Sequence, residues 1–247
     1  MPEITSSKYL VVAGWDDAPH LGEKEKAEML EATPPHLRDA RSKGIPSLGS
    51  GAIYPIEESE ITCDPFEIPS HWPVAYGMDV GWKRSAAIWG ALDRESDILY
   101  LWSEHYRGEA EPSTHAHAIR SRADWIPGVI DTSARGRSQV DGRDLMDMYR
   151  NLGLIINPAN KSIETGLQEV WMRMATGRLK IFKNLQNTLA EYRIYRRDEK
   201  GRIVKDNDHL MDSLRYLVMS MIEICTTMPY SGEYNSSRST QTDDTGF

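Results

Sequence analysis

The sequence predicts an α/β protein built on a mixed sheet, in which an antiparallel three-strand meander is extended by parallel strands and flanked by helices. Three observations predict it. Three strand-like runs stand close together between residues 74 and 102, with only short polar turns between them. From 128 to 182 strand-like and helix-like segments alternate, which implies parallel strands with covering helices. The last strong pattern, after residue 207, is a long amphipathic helix that opens on acids.

Residues 1–72 differ from the rest. They hold many prolines, a charged helix pattern from Glu23 to Ala32 and the glycine-rich turn Leu48-Gly49-Ser50-Gly51-Ala52. They read as a connector with one short helix, and Ile53-Tyr54-Pro55-Ile56 is a weak strand candidate. The core is expected to begin at about Pro73. The meander then comprises Val74-Ala75-Tyr76-Gly77-Met78-Asp79, residues 85–91 and residues 98–102, with Asp93-Arg94-Glu95-Ser96 as one turn. Pro112-Ser113 carries the start signals of a helix. A strand over 128–131, a helix over 142–152, a strand over 154–156, a helix over 165–175 and a strand over 179–182 follow. After a helix near 184–191 the pattern predicts a hairpin. Its arms are 192–196 and 202–205, its turn is Asp198-Glu199-Lys200-Gly201, and its exposed face is expected to be basic and aromatic. The last helix runs from Asp208 to Thr226 and stops before Pro229. The tail, 229–247, is rich in Ser, Thr, Gly and Asp and is expected to be disordered.

Composition narrows the class. Of 247 residues, 40% are hydrophobic and 27% charged, as in an ordinary globular protein. No apolar run approaches the roughly 20 residues of a membrane span, and no signal peptide is visible. Two cysteines without a C-x-x-C, Cys63 and Cys225, argue against a disulfide framework or a zinc site and fit a reducing cytoplasm. A net charge of −8 disfavours general affinity for nucleic acid. The charge is uneven, however. Between Arg178 and Lys205 nine basic residues face three acids (Glu191, Asp198, Glu199), and the segment leads straight into Asp208.

The candidate site is built from aspartates. Asp79 ends one apolar run, Asp131 ends another, and Asp208 and Asp212 open the last helix. At about 100° per residue, Asp208, Asp212 and Arg215 share one helix face, and Leu210, Leu214, Leu217, Val218 and Met221 share another. Carboxylates brought together repel unless positive charge stands between them, and Mg²⁺ or Mn²⁺ prefers such oxygen donors. The plainer alternative makes Asp208 an N-cap and Asp212 a solvent residue paired with Arg215. Other features read as bland: His105, His115 and His117 as surface histidines, Asp141 as a helix cap, and Trp82 and Trp89 as core or rim. Tyr192 and Tyr195 read as packing residues.

At this point the residues resemble the nuclease domain of the large terminase subunit of tailed phages, whose fold is RNase H-like. The resemblance rests on Gly77-Met78-Asp79-Val80-Gly81-Trp82, Ile130-Asp131-Thr132-Ser133, Gln139-Val140-Asp141-Gly142 and Asp208-His209-Leu210-Met211-Asp212-Ser213-Leu214-Arg215-Tyr216. Gly14 to Leu21 and Gly44 to Gly51 resemble the stretch that links this family's ATPase to its nuclease. The implied division is 1–72 as linker, 73–228 as nuclease domain and 229–247 as tail. No G-x-x-x-x-G-K-[S/T] occurs, so the family's ATPase half is absent from this sequence.

The resemblance implies a metal-dependent endonuclease that cuts concatemeric viral DNA during packaging, in the cytoplasm of the host. Asp79, Asp131 and Asp208 take the catalytic positions. With Asp212 they would hold two Mg²⁺ or Mn²⁺ ions, about 3.5–4 Å apart, that clamp a scissile phosphate. Whether Asp212 or His209 touches metal stays open. Arg193, Arg196, Arg197, Lys200, Arg202 and Lys205 are the candidate phosphate contacts. Implied partners are double-stranded DNA, the portal and the small terminase subunit, and the isolated domain should be monomeric. A resolvase- or transposase-type nuclease, an actin-like ATPase and a non-catalytic docking module of the motor are the alternatives.

Overall fold

The computed structural model describes residues 3–4, 9–10, 14–31, 42–43, 51–131, 142–198 and 200–229. Near the N-terminus, β1 (Glu3–Ile4) pairs with β2 (Tyr9–Leu10), and α1 spans Glu23–Glu31. The body follows: α2 (Glu58–Ile61), β3 (Thr62–Cys63), β4 (Val74–Asp79), β5 (Ser85–Asp93), β6 (Ile98–Arg107), α3 (Pro112–Arg120), β7 (Gly128–Ile130), α4 (Gly142–Asn151), β8 (Ile156–Pro158), α5 (Ile163–Ala175), β9 (Leu179–Phe182), α6 (Gln186–Ile194) and α7 (His209–Ile224). Seven strands form one sheet in the order β3-β9-β6-β5-β4-β7-β8. The β4-β5-β6 meander is antiparallel, whereas β7, β8, β9 and β3 add in parallel. The mixed sheet is thus the one predicted.

Strand periodicity assigns the two faces. Tyr76 and Met78 of β4 and Ala87 and Trp89 of β5 point to the layer of α3 and α4. Ala75 of β4 and Ala86 and Ile88 of β5 point to the layer of α5, α6 and α7. Asp79 has the parity of Ala75 and Gly77 and therefore faces α7. The same rule turns Asp131 toward α7, because Ile130 before it is buried in the opposite layer. Gly77 lets α7 lie against the sheet. A Cβ there would collide with the Ser213 carbonyl and crowd the Leu217 amide.

Packing begins upstream of Pro73. Tyr54, Ile56 and Ile61 are buried in the α7-side core, and β3 pairs with β9. Residues 53–56 form no strand, and the only ladder contact there is the bridge between Ala52 and Arg196. β6 is longer than predicted. Its second half, Ser103 to Arg107, is polar because its side chains are used: Glu104 accepts from the backbone N–H groups of Asn187 and Thr188 at the start of α6. The strand expected over 154–156 sits two residues later as β8, an edge strand where Pro158 is tolerated.

The predicted hairpin is largely replaced by helix. Leu185, Leu189 and Tyr192 recur at helical spacing and are buried, so 186–194 form α6. Of the hairpin, the bridge between Arg197 and Ile203 remains. Tyr192 and Tyr195 are buried packing residues. Asp141 and the tail from 230 onward lie outside the described residues.

The histidines at 105 and 115 are not surface residues. Both are buried, with His105 Nε2 and His115 Nδ1 2.9 Å apart between β6 and α3. Burial, then the charges of His115, Arg122 and Arg107, push His105 down to about 4.

Two predictions follow from this packing. Gly77→Ala should lower stability by about 1–3 kcal/mol through overpacking; an unchanged urea midpoint would show that α7 can move away. The histidine pair should make stability fall with acid. The unfolded chain takes up a proton near pH 6.5, but folded His105 resists it until about pH 4. Stability is therefore lost between these values, by at most about 3 kcal/mol. Melting temperatures against pH should fall less steeply in the His105→Gln/His115→Gln variant, and parallel curves would contradict the assignment.

Candidate metal-binding site

Three elements converge at the C-terminal ends of β4 and β7. β4 delivers Asp79, the residue after β7 is Asp131, and the first turn of α7 delivers Asp208, His209 and Asp212. The start of α7 is fixed by an unexpected group. Asp208 occupies the N-cap position but makes no side-chain capping bond. Buried Glu191 of α6 caps the helix instead, its Oε2 accepting from the Leu210 and Met211 amides at 2.6 and 3.3 Å. A buried carboxylate at this end also complements the helix dipole. Asp208 is thereby left for other contacts.

Three of the four acids, Asp79, Asp131 and Asp212, have a buried or half-buried tether. His209 Nδ1 lies 2.8 Å from Asp79 Oδ2, which puts the ring proton on Nδ1. The Tyr216 hydroxyl donates to Asp131 Oδ2 at 3.3 Å. Arg215, a mere 2% exposed, donates to Asp212 Oδ1 at 2.9 Å. Two acids also carry a lysine on the other oxygen: Lys161 lies 3.2 Å from Asp131 Oδ1, and Lys205 lies 2.9 Å from Asp212 Oδ2. Lys205 also reaches Asp208 at 2.8 Å, so its ammonium stands between the two acids of α7.

The electrostatics follow from this crowding. Burial raises the Asp79 pKa, Asp212 and Asp131 raise it further, and His209 opposes them. The bond from Asp79 raises the His209 pKa against partial burial. Burial works against the Lys205 ammonium, yet Asp208 and Asp212 outweigh it and hold its pKa above the usual lysine value. Tyr216 is pushed far up, first by burial and then by the charges of Asp212 and Asp131, with Asp79 adding to them. Asp131 and Asp212 thus both act on Asp79, and all three act on one tyrosine.

Among the described residues, no three His, Cys, Asp or Glu side chains are gathered tightly enough to hold an ion as they stand. The donor set nevertheless suits a hard divalent cation: all the acids offer oxygen, and their mutual repulsion is relieved by positive charge. That charge comes from Lys161 and Lys205, whose side chains are 44% and 57% exposed and have room to swing out.

The six basic residues expected to meet phosphate are mostly engaged. Arg193 forms a two-pronged pair with Glu58. Arg197 pairs with Glu164, Arg202 with Asp198 and Lys205 with the α7 acids. Arg196 and Lys200 are exposed. Sequence reasoning missed Tyr216, Lys161 and Glu191. Tyr216 stands one turn after Asp212 and was open to discovery by spacing, whereas Lys161 and Glu191 carry no local signal. An apolar cavity of about 430 Å³, lined by Phe66, Trp72, Trp102 and Trp125, opens beside Val74 at the other end of β4 and is separate from the acids.

Removing a buried partner of an acid should be costly. Arg215→Ala should lower stability by about 3 kcal/mol, because it exposes the other half of a buried pair and empties the space under Gly166. The urea midpoint measures this, and a shift of under about 1 kcal/mol would mean that Lys205 alone suffices for Asp212.

Residues 76–221 match the family described as terminase RNaseH-like domain. The large terminase subunits of Enterobacteria phage LP7 and Salmonella phage P22 are each 33% identical to this chain over 210 residues. That stretch is 81% of this chain but 44% and 42% of theirs, so the chain spans less than half the length of these relatives. Among solved structures it is similar to the P22 large terminase nuclease domain, with a TM-score of 0.68 and 32% identity over 74% of this chain and 97% of that one. The large terminase nuclease of thermophilic phage G20c, solved with bound magnesium, shares the fold at a TM-score of 0.51 and 16% identity, over 69% of this chain and 97% of that one. On the match to more than half of its length, the chain belongs to the terminase RNase H-like domain family.

Proposed function

We propose that this chain is a divalent-metal-dependent DNA endonuclease, the nuclease part of a large terminase subunit, which cuts concatemeric viral DNA during packaging. The observation that carries the reading is the delivery of Asp79, Asp131 and Asp212 by three separate elements to one end of the sheet, each with its own tether. Bound Mg²⁺ or Mn²⁺ would activate water for attack on phosphorus and offset charge on the leaving oxygen. Asp79, Asp131, Asp208 and Asp212 would hold the ions.

The chain's own residues do the rest. His209 orients the Asp79 carboxylate, Tyr216 orients Asp131, and Arg215 orients Asp212. Second contacts of this kind keep ligands in a single geometry. Lys161 and Lys205 pair with the acids and, with a cation bound there, would be free to meet phosphate. Exposed Arg196 and Lys200 fit backbone contact best; Arg193, Arg197 and Arg202 must first give up their carboxylate partners. Recognition through phosphates makes binding sensitive to salt. The portal and the small subunit are the partners the family implies.

Nicking of supercoiled plasmid in Mn²⁺, Mg²⁺ or chelator tests the reading. Wild type should nick only with metal. Asp79→Asn should fall to the chelator level, with a melting temperature unchanged or raised, since burial and neighbouring acids already penalise that charge. Nicking by a folded Asp79→Asn protein at the wild-type rate would sink the metal-site hypothesis.

A further inference from the structure

The β4–β5 turn holds a feature that the acids do not explain. Trp82 stands three residues after Asp79 and is 59% exposed. Single exposed apolar residues are common and need no explanation. This one differs in its support. The Glu109 amide donates to the Trp82 carbonyl at 2.8 Å, and the Ser85 hydroxyl donates to the Gly81 carbonyl at 3.1 Å. Gly108 lies so close to the Lys83 carbonyl that no Cβ would fit there. The backbone is therefore held from two sides while the indole faces solvent.

The surroundings are basic and joined to the site. Lys83 and Arg107 are exposed. The Arg84 guanidinium sits 4.5 Å above the Tyr106 ring. Burial and then Glu191, the group that caps α7, raise the Tyr106 pKa, with Asp208 adding to them, so the Tyr106 hydroxyl lies in the field of the acids at the start of α7. One turn, three residues beyond Asp79, thus carries an exposed flat aromatic surface and cations, with Arg84 and Tyr106 on the α7 side of the sheet.

We propose that this turn is a DNA contact in which Trp82 stacks on an unpaired or splayed base next to the scissile phosphate, while Lys83 and Arg84 meet the flanking backbone. The inference rests on the nuclease reading for the identity of the ligand. Indole stacking tolerates any base but needs an exposed base face, which a closed duplex does not offer. Trp82 therefore favours DNA that is frayed, nicked or single-stranded at the cut. The cations act on phosphates of either form.

Binding measured in chelator separates this contact from cleavage. Wild type, Trp82→Ala, Trp82→Phe and Lys83→Ala are titrated with a labelled single-stranded oligonucleotide and with the matching blunt duplex. Trp82→Ala should bind single strand about tenfold more weakly and duplex nearly as wild type. Trp82→Phe should recover much of the loss, and Lys83→Ala should weaken both ligands. The backbone bonds of the turn use the Trp82 carbonyl, so both Trp82 variants should melt as wild type. Equal affinity of wild type and Trp82→Ala for single strand, or equal losses on both ligands, would overturn the proposal. If wild type fails to nick plasmid with metal, the nuclease reading falls. A selective loss of single-strand binding in Trp82→Ala would still establish the contact.

Discussion

The close approach of α7 to β4 at Gly77 is the constraint on which the site depends. Strand parity alone sends Asp79 to the α7 side, but parity does not set distance. Because residue 77 has no side chain, the backbone at Ser213 and Leu217 can rest on the sheet. His209, one turn before Ser213, then comes to 2.8 Å from Asp79. Leu210, Leu214 and Leu217 are fully buried behind it and fix the helix rotation. Gly77 is therefore as much a part of the site as the acids, although it touches no ligand.

That placement has an electrostatic cost. Asp212 and Asp131 both push the Asp79 pKa upward, so the folded chain holds carboxylates that would be more stable apart. The protein meets the cost in two layers. Arg215, Tyr216 and His209 are buried or half-buried and act as fixed tethers. Lys161 and Lys205 are half-exposed and act as outward counter-charges. An ion that took over from the lysines would leave the tethers in place. The division explains why Asp131 and Asp212 each use one oxygen for an inward partner and the other for an outward one.

The periodic elements were legible in the sequence. Strands at 74–79 and 179–182, the helix starting at Pro112 and the face of α7 that joins Asp212 to Arg215 follow from spacing, and the structure shows them. The misreadings share one physical cause. Residues that serve distant parts of the chain do not follow the local period. The strand read as 98–102 stopped short of Glu104 and His105, which are polar because one caps α6 and the other pairs with His115. Glu191 counted in the sequence only as one of three acids in a basic segment, yet it is buried as the cap of α7. Arg193 to Arg202 looked like an open basic ribbon, but Glu58, Glu164 and Asp198 neutralise much of it. Local charge counts overstate the field wherever partners come from far along the chain.

This neutralisation bears on how an acidic chain meets a polyanion. With a net charge of −8, approach to DNA is not assisted by long-range steering. Attraction must come from cations close to the acids, within a Debye length of about 10 Å. Lys161 and Lys205, which contact the acids, meet that description better than the segment 193–202. Arg84 sits over Tyr106, whose hydroxyl lies in the field of Glu191 and Asp208. A phosphate drawn to these lysines arrives at the mouth of the site rather than at a remote patch. On the nuclease reading proposed above, affinity and positioning would then rest on the same few residues, and an overall negative charge would keep the rest of the surface from competing for DNA.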